Sequence, residues 1–173
     1  EDVVKSIEKA GIRKIKRLSS GKNKTLLIRA HGAAKDMLKG ARSCGYNIID
    51  ATCPMVKEIH KIAQDMEKKG YKIIVIGDKT HDEVRGISGQ LNQRAIIIDG
   101  PQNLPFKKIK GLDRAAILVQ STQDLEKVMR TVNALKPYLK DFKFFNTICI
   151  PTRTKQEETK IIQTRDGAPS CIL

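Results

Sequence analysis

The 173-residue sequence contains no tryptophan, and only 4% of it is aromatic. That scarcity argues against a surface that stacks single-stranded bases on rings. No stretch approaches the roughly 18 consecutive apolar residues that a membrane-spanning helix requires, and no secretory signal opens the chain. The expectation is a cytoplasmic protein without a membrane partner. The four cysteines, Cys44, Cys53, Cys149 and Cys171, are widely spaced, with no C-x-x-C pair. Neither a disulfide scaffold nor a zinc ribbon is suggested. The glycines form neither G-x-G-x-x-G nor a P-loop after any predicted strand, which counts against a doubly wound nucleotide-binding enzyme. The sequence starts at Glu1, not Met, and is expected to be a piece of something longer.

What is present points to a globular α/β protein. Forty per cent of the residues are hydrophobic and 30% charged, enough for one ordinary domain or two small α/β lobes. Lys and Arg outnumber Asp and Glu by 33 to 19, a net charge of +14. Such a balance fits a nucleic acid, an anionic membrane surface or a phosphorylated small molecule without choosing among them.

Strands and helices alternate along the chain. Val3, Val4, Ile7 and Ile12 recur at near-helical spacing, and Gly11 closes a short first helix. A strand over 25–29 empties into Ala30-His31-Gly32, a helix follows from 33 to about 44, and a strand over 47–50 leads to Cys53. Val56, Ile59, Ile62, Ala63 and Met66 stripe a helix from about 55 to 69 that starts at Pro54, a residue suited to a first helical turn. Further strands are predicted over 72–76, 94–98, 115–119 and 143–145, with helices near 82–90 and 125–139 and a surface loop around Pro101 and Pro105. This alternation predicts parallel sheets with helices on their faces.

The polar residues of interest each follow a strand. Four exits supply His31, Cys53, His81 with Glu83, and Ser121 with Thr122; a fifth supplies Cys149. In a parallel sheet these exits share an edge, where open α/β folds place their chemistry. Cys53 and Cys149 lie in polar turn sequences and read as ligands, whereas Cys44 and Cys171 read as plain small residues. His31 and His81 either cap turns or, with the N–H groups of helix starts, receive a phosphate. Glu83 either relays a proton or favours the first turn of its helix. His60 lies mid-helix between apolar neighbours and reads as a partly buried structural residue, and the lysine clusters at 68–69 and 107–110 as solvated surface.

The ordered strings Arg29-Ala30-His31-Gly32, Asp50-Ala51-Thr52-Cys53-Pro54, Ile76-Gly77 through His81-Asp82-Glu83-Val84 to Gly89-Gln90, Gln120-Ser121-Thr122, and Asn146-Thr147-Ile148-Cys149, with Thr152 to Glu157, resemble the 4-hydroxy-3-methylbut-2-enyl diphosphate reductases. The resemblance covers about residues 3–162. It implies a trefoil of three α/β lobes around a 4Fe-4S cluster held by three cysteines. It also implies reductive removal of the substrate hydroxyl to give isopentenyl and dimethylallyl diphosphates, with electrons from a donor such as ferredoxin or flavodoxin. Thiolates are the usual ligands of such clusters, and an open iron acts as a Lewis acid on an oxygen leaving group. Carried over, Cys53 and Cys149 match two cluster ligands, His31 and His81 match diphosphate-binding histidines, and Glu83 matches the proton-relaying carboxylate. Ser121 stands where the family usually has threonine beside the hydroxyl, and Thr122 matches its neighbour.

Several family features have no counterpart. The first cluster cysteine is absent, and the first diphosphate histidine would fall just before Glu1. Asp82 replaces a usual proline, Lys155 replaces a usual arginine, and the tail Thr164 to Leu173 resembles nothing in the family. Nor is that tail a prenylation signal, since Ser170 stands fourth from the end. The resemblance thus implies the end of a first lobe (1–53), a complete second lobe (54–148) and the start of a third with a foreign tail (149–173). Such a piece is expected to be inactive by itself. The rival reading is a basic α/β nucleic-acid-binding module with structural cysteines; it gives no reason for five chemistry-bearing exits, and nucleic acid is the less expected partner.

Overall fold

The computed structural model describes the backbone of residues 2–166 and the side chains of residues 5–161. Val3, Val4 and the end of the tail, with Cys171, therefore lie outside the described side chains. The chain opens with helix α1 (Asp2–Lys9), followed by β1 (Thr25–Ile28), α2 (Lys35–Ser43), β2 (Asn47–Asp50) and α3 (Pro54–Lys68). It continues through β3 (Lys72–Ile76), α4 (Asp82–Ser88), β4 (Ile96–Ile98), α5 (Phe106–Ile109), β5 (Arg114–Val119), α6 (Leu125–Leu135), β6 (Asp141–Phe144) and α7 (Ile150–Asp166). Every strand pair is parallel, as the alternation of elements required.

Two sheets result. β1 and β2 form a two-stranded pair in the register Thr25↔Asn47 to Ile28↔Asp50. The other four strands run in the order β4-β3-β5-β6. β3 and β5 occupy its centre, and their runs Ile73 to Ile76 and Ala115 to Val119 are buried throughout, as strands covered on both faces must be. Alternate residues serve opposite layers. Ile73, Val75, Ala116 and Leu118 pack on Ile59, Ala63 and Met66 of α3 and Val84 and Ile87 of α4. Ile74, Ile76, Ile117 and Val119 pack on Ile109 of α5 and Val128, Val132 and Leu135 of α6. With each such side chain contributing about 1.5–3 kcal/mol on full burial, these two layers are the main source of stability.

The strand order fixes where a site can form. From β3 the chain moves outward to β4, and from β5 it moves outward the other way to β6. The crossover helices α4 and α6 consequently lie on opposite faces, and the strand order reverses between the carboxyl ends of β3 and β5. Ligands bind open α/β sheets at such a switch point.

Several elements differ from the sequence reading. Helix α2 starts at Lys35 because Ala34 is extended. Strand β4 is only Ile96–Ile98. Strand β6 begins at Asp141, paired with Arg114, whereas the apolar pattern had put its start at Lys143; the Asp141 carboxylate accepts from Tyr71 Oη and Arg114 Nε at 3.2 Å each, anchoring a polar strand end. The proline-marked loop contains a 3-10 turn (Pro101–Asn103) and the short helix α5, whose Ile109 is fully buried. Helix α6 stops at Leu135, where Pro137 forces a 3-10 turn.

Candidate functional site

The predicted residues are joined by an unbroken series of contacts across the two sheets. At the end of β2, the Asp50 carboxylate accepts from the Thr52 backbone N–H at 2.9 Å, from Thr52 Oγ1 at 2.5 Å, and from Lys57 Nζ at 2.9 Å. The Lys57 ammonium first, and the Thr52 hydroxyl second, hold this carboxyl down at about 2. The turn so fixed sets Cys53 at the N-cap of α3 with Pro54 following. The Cys53 N–H donates to Ala30 O at 3.0 Å, tying the cysteine to the β1 exit that carries His31.

His31 meets His81 next. Their rings lie edge to face, with centroids 5.2 Å apart and planes at 88°. Beside them Arg29 and Asp82 form an ion pair at 2.5 Å that bridges the β1 exit to the start of α4. The guanidinium keeps the Asp82 carboxyl below its ordinary value. His81 is also the N-cap of α4: its Nδ1 accepts from the Glu83 N–H at 3.2 Å, which leaves the other ring nitrogen facing away from the helix start.

Glu83 is the most buried polar group at the site, 1% exposed. Its Oε1 accepts from the Ser121 N–H and its Oε2 from Ser121 Oγ, both at 2.7 Å. The exits of β3 and β5 are thereby clamped by one side chain, which takes both the backbone N–H and the hydroxyl of Ser121. Ser121 O in turn accepts from the Cys149 N–H at 2.9 Å. Cys149 Sγ lies 2.9 Å from Thr152 Oγ1 in the first turn of α7. One path therefore runs from Cys53 through His31, His81, Glu83 and Ser121 to Cys149, and both thiols are partly exposed.

Thr122 belongs to the same edge but is more exposed. Its Oγ1 accepts from Gln120 Nε2 at 3.0 Å. Gln120 itself is 3% exposed and its Oε1 accepts from the Asp78 N–H at 3.0 Å, spanning the β5 and β3 exits. The sequence reading quoted Gln120 but gave it no role; a buried amide ending an otherwise apolar strand was the available signal. Arg29 likewise carried no role in the sequence, and Asp82 stood out there only as a departure from the family pattern. Gln156 of α7 adds a further support, since its Nε2 donates to Gln123 O at 3.0 Å.

A metal site is only partly furnished. Among the described residues no group of three or more His, Cys, Asp or Glu is placed to hold a metal ion. Cys53 and Cys149 supply two thiols, and Cys44 sits at the far end of α2, hydrogen-bonded through its backbone to Gly40 and Gly21. Three-thiolate ligation of a cluster does not fit these residues alone.

Fold and site together define a parallel α/β protein whose linked polar residues follow the carboxyl ends of its strands, the place where open α/β folds bind ligands. The family described as LytB protein matches residues 1–167, and the chain belongs to that family. Two curated relatives are named 4-hydroxy-3-methylbut-2-enyl diphosphate reductase. That of Dictyoglomus thermophilum is 33% identical over 158 residues, covering 91% of this chain and 55% of the relative. That of Clostridioides difficile is 34% identical over 161 residues, covering 92% and 58%. A solved structure of (E)-4-hydroxy-3-methyl-but-2-enyl diphosphate reductase, described as the terminal enzyme of the non-mevalonate pathway, superposes with a TM-score of 0.80 at 29% identity, over 93% of this chain and 58% of that one. The corresponding reductase from Plasmodium falciparum gives 0.80 at 27% identity, over 95% and 53%. The chain thus spans about half the length of the relatives it matches.

Proposed function

We propose that this chain forms part of the reaction centre of a 4-hydroxy-3-methylbut-2-enyl diphosphate reductase. The observation that carries the reading is the contact path linking five strand exits from Cys53 to Cys149. In this reading His31 and His81 face the diphosphate, and Thr122 and Ser121 face the substrate hydroxyl. Glu83 and Ser121 form the proton path. Oε2 lies 2.7 Å from Ser121 Oγ, so a proton held on the carboxylate can pass to the serine oxygen as the serine proton moves outward. Burial of Glu83 keeps bulk water from short-circuiting that transfer.

Cys53 and Cys149 are assigned as two of the three thiolates of a 4Fe-4S cluster, with ferredoxin or flavodoxin as electron donor. Because two thiols do not complete that ligand set, no step is assigned through a cluster on this chain. In the same reading residues 1–53, 54–148 and 149–173 are the end of a first lobe, a second lobe and the start of a third. Activity then belongs to the complete protein. Anaerobic reconstitution with iron and sulfide tests this, followed by visible absorption near 400 nm (roughly where thiolate-bound clusters absorb). The chain alone is expected to form at most a labile cluster and no turnover. Joined to the relatives' N-terminal cysteine segment and third lobe, it is expected to form a stable cluster and reduce the substrate. Stable loading and turnover by the isolated chain would refute the division of ligands.

A further inference from the structure

His60 is absent from the path described above, yet it is buried to 9% exposure and its Nε2 has no hydrogen-bond partner. It projects from α3, and its ring approaches glycine on two other segments. A Cβ on Gly32 would lie 2.7 Å from His60 Cε1 and 3.2 Å from Thr52 Cγ2. Gly32 also sits at φ +74°, in the left-handed region that side chains avoid. A Cβ on Gly86 would lie 3.5 Å from His60 Nε2 and 3.0 Å from His31 O. The imidazole thus fills the space that a side chain at Gly32 would occupy and lies in ordinary contact range of Gly86, beside the place where the His31 loop packs directly on helix α4, which His81 caps.

His31 itself needs such a support. Its Nδ1 is buried and makes no hydrogen bond. The orientation of a functional imidazole is ordinarily fixed by what its second nitrogen bonds. At Nδ1 that means is missing; the ring packs edge to face on His81, and the next residue along the chain, Gly32, rests on His60.

We propose that His60 is a positioning residue, packed under Gly32 and beside Gly86, that sets the separation and tilt of the His31 and His81 imidazoles and through them the affinity of that pair for a diphosphate group. The anion-binding part rests on the function proposed above; the geometric part does not.

The chain has three histidines, so their imidazole resonances can be followed individually by nitrogen-15 NMR in the 173-residue protein, with inorganic diphosphate as the probe. In the unsubstituted chain the His60 Hε1 proton should show a nuclear Overhauser contact to the Gly32 α-protons; its absence overturns the proposal outright. In ligand-free His60→Ala, with amide signals of β3 and β5 retained, both the His31 and His81 resonances should move. Diphosphate affinity should fall about tenfold, the scale of losing a support beneath a ligating side chain. Unchanged resonances and affinity in this folded variant overturn the proposal. Should the alanine variant not fold, His60→Asn, which lacks the ring atoms against the two glycines, is judged by the same displacement of the two resonances. If diphosphate moves neither His31 nor His81 in the unsubstituted chain, the anion reading fails, and the ligand-free displacement still decides the role of His60.

Discussion

Replacing Glu83 probes the site where it is most enclosed. Glu83→Ala removes both bonds to Ser121 and leaves the Ser121 N–H buried without a partner. A hydrogen bond to a charged group contributes about 1.5–3 kcal/mol, and an orphaned buried donor costs about 1–3 kcal/mol. Relief from burying a carboxylate offsets part of this, so the net loss is placed at about 2–4 kcal/mol. Glu83→Gln behaves differently. Its carbonyl still accepts from the Ser121 N–H, and its amide donates to Ser121 Oγ, since a hydroxyl can reverse its role. The expected cost is under about 1 kcal/mol.

For a chain of this length each kcal/mol moves Tm by roughly 2–4 °C, so Glu83→Ala should melt about 10 °C below the unsubstituted chain and Glu83→Gln within about 3 °C. Circular-dichroism melts of both variants, with Ser121→Ala completing a double-mutant cycle, provide the assay. Coupling of about 1–2 kcal/mol between positions 83 and 121 is expected. Equal melting of the alanine and glutamine variants, or zero coupling, would show that the clamp does not hold the β3 and β5 exits. In the complete enzyme the glutamine variant should stay folded and lose turnover, separating proton delivery from support.

Further expectations follow from the seam between the sheets. A Cβ on Gly89 would sit 2.4 Å from Ala34 Cβ and 2.9 Å from its Cα, so Gly89→Ala should cost about 1–3 kcal/mol in urea denaturation; an unchanged midpoint would contradict that approach. Asp50 has a folded value of about 2 against an ordinary 3.8, so its contribution is present above pH about 4 and lost as pH falls toward about 2. Because its side chain is 44% exposed, Asp50→Asn should cost under about 1 kcal/mol at neutral pH and flatten the acid limb of a stability profile. Burial holds the His60 value below its ordinary 6.5, so folding opposes its protonation; stability should decline as pH falls below that value, less steeply in His60→Gln. Arg29 and Asp82 are 60% and 46% exposed, and Asp82→Ala should change stability by less than about 1 kcal/mol, a difference that salt erases.

Much of this architecture could be read from local pattern. The continuous apolar runs of β3 and β5 announced strands covered on both faces, and each chemistry-bearing residue was legible as lying in the turn or helix start that follows a strand. Less was legible where tertiary pairing overrode pattern. Asp141 starts β6 because Tyr71 and Arg114 meet its carboxylate, and these partners lie 70 and 27 residues away. Helix α5 is four residues long, too short for a helical period to declare itself. The Glu83–Ser121 clamp joins positions 38 residues apart. The mid-helix, enclosed position of His60 was legible, but only the fold brings Gly32 and Gly86 to its ring.

Convergence of the strand exits is tested most directly through the two sulfurs. With Cys44 and Cys171 changed to serine, the chain is treated with a short bismaleimide and digested, and cross-linked peptides are identified by mass spectrometry. The account predicts an intramolecular Cys53–Cys149 link as the main product, formed at equal yield on dilution and suppressed by unfolding in urea. Separate single-ended adducts at both cysteines, with links only between molecules, would contradict it.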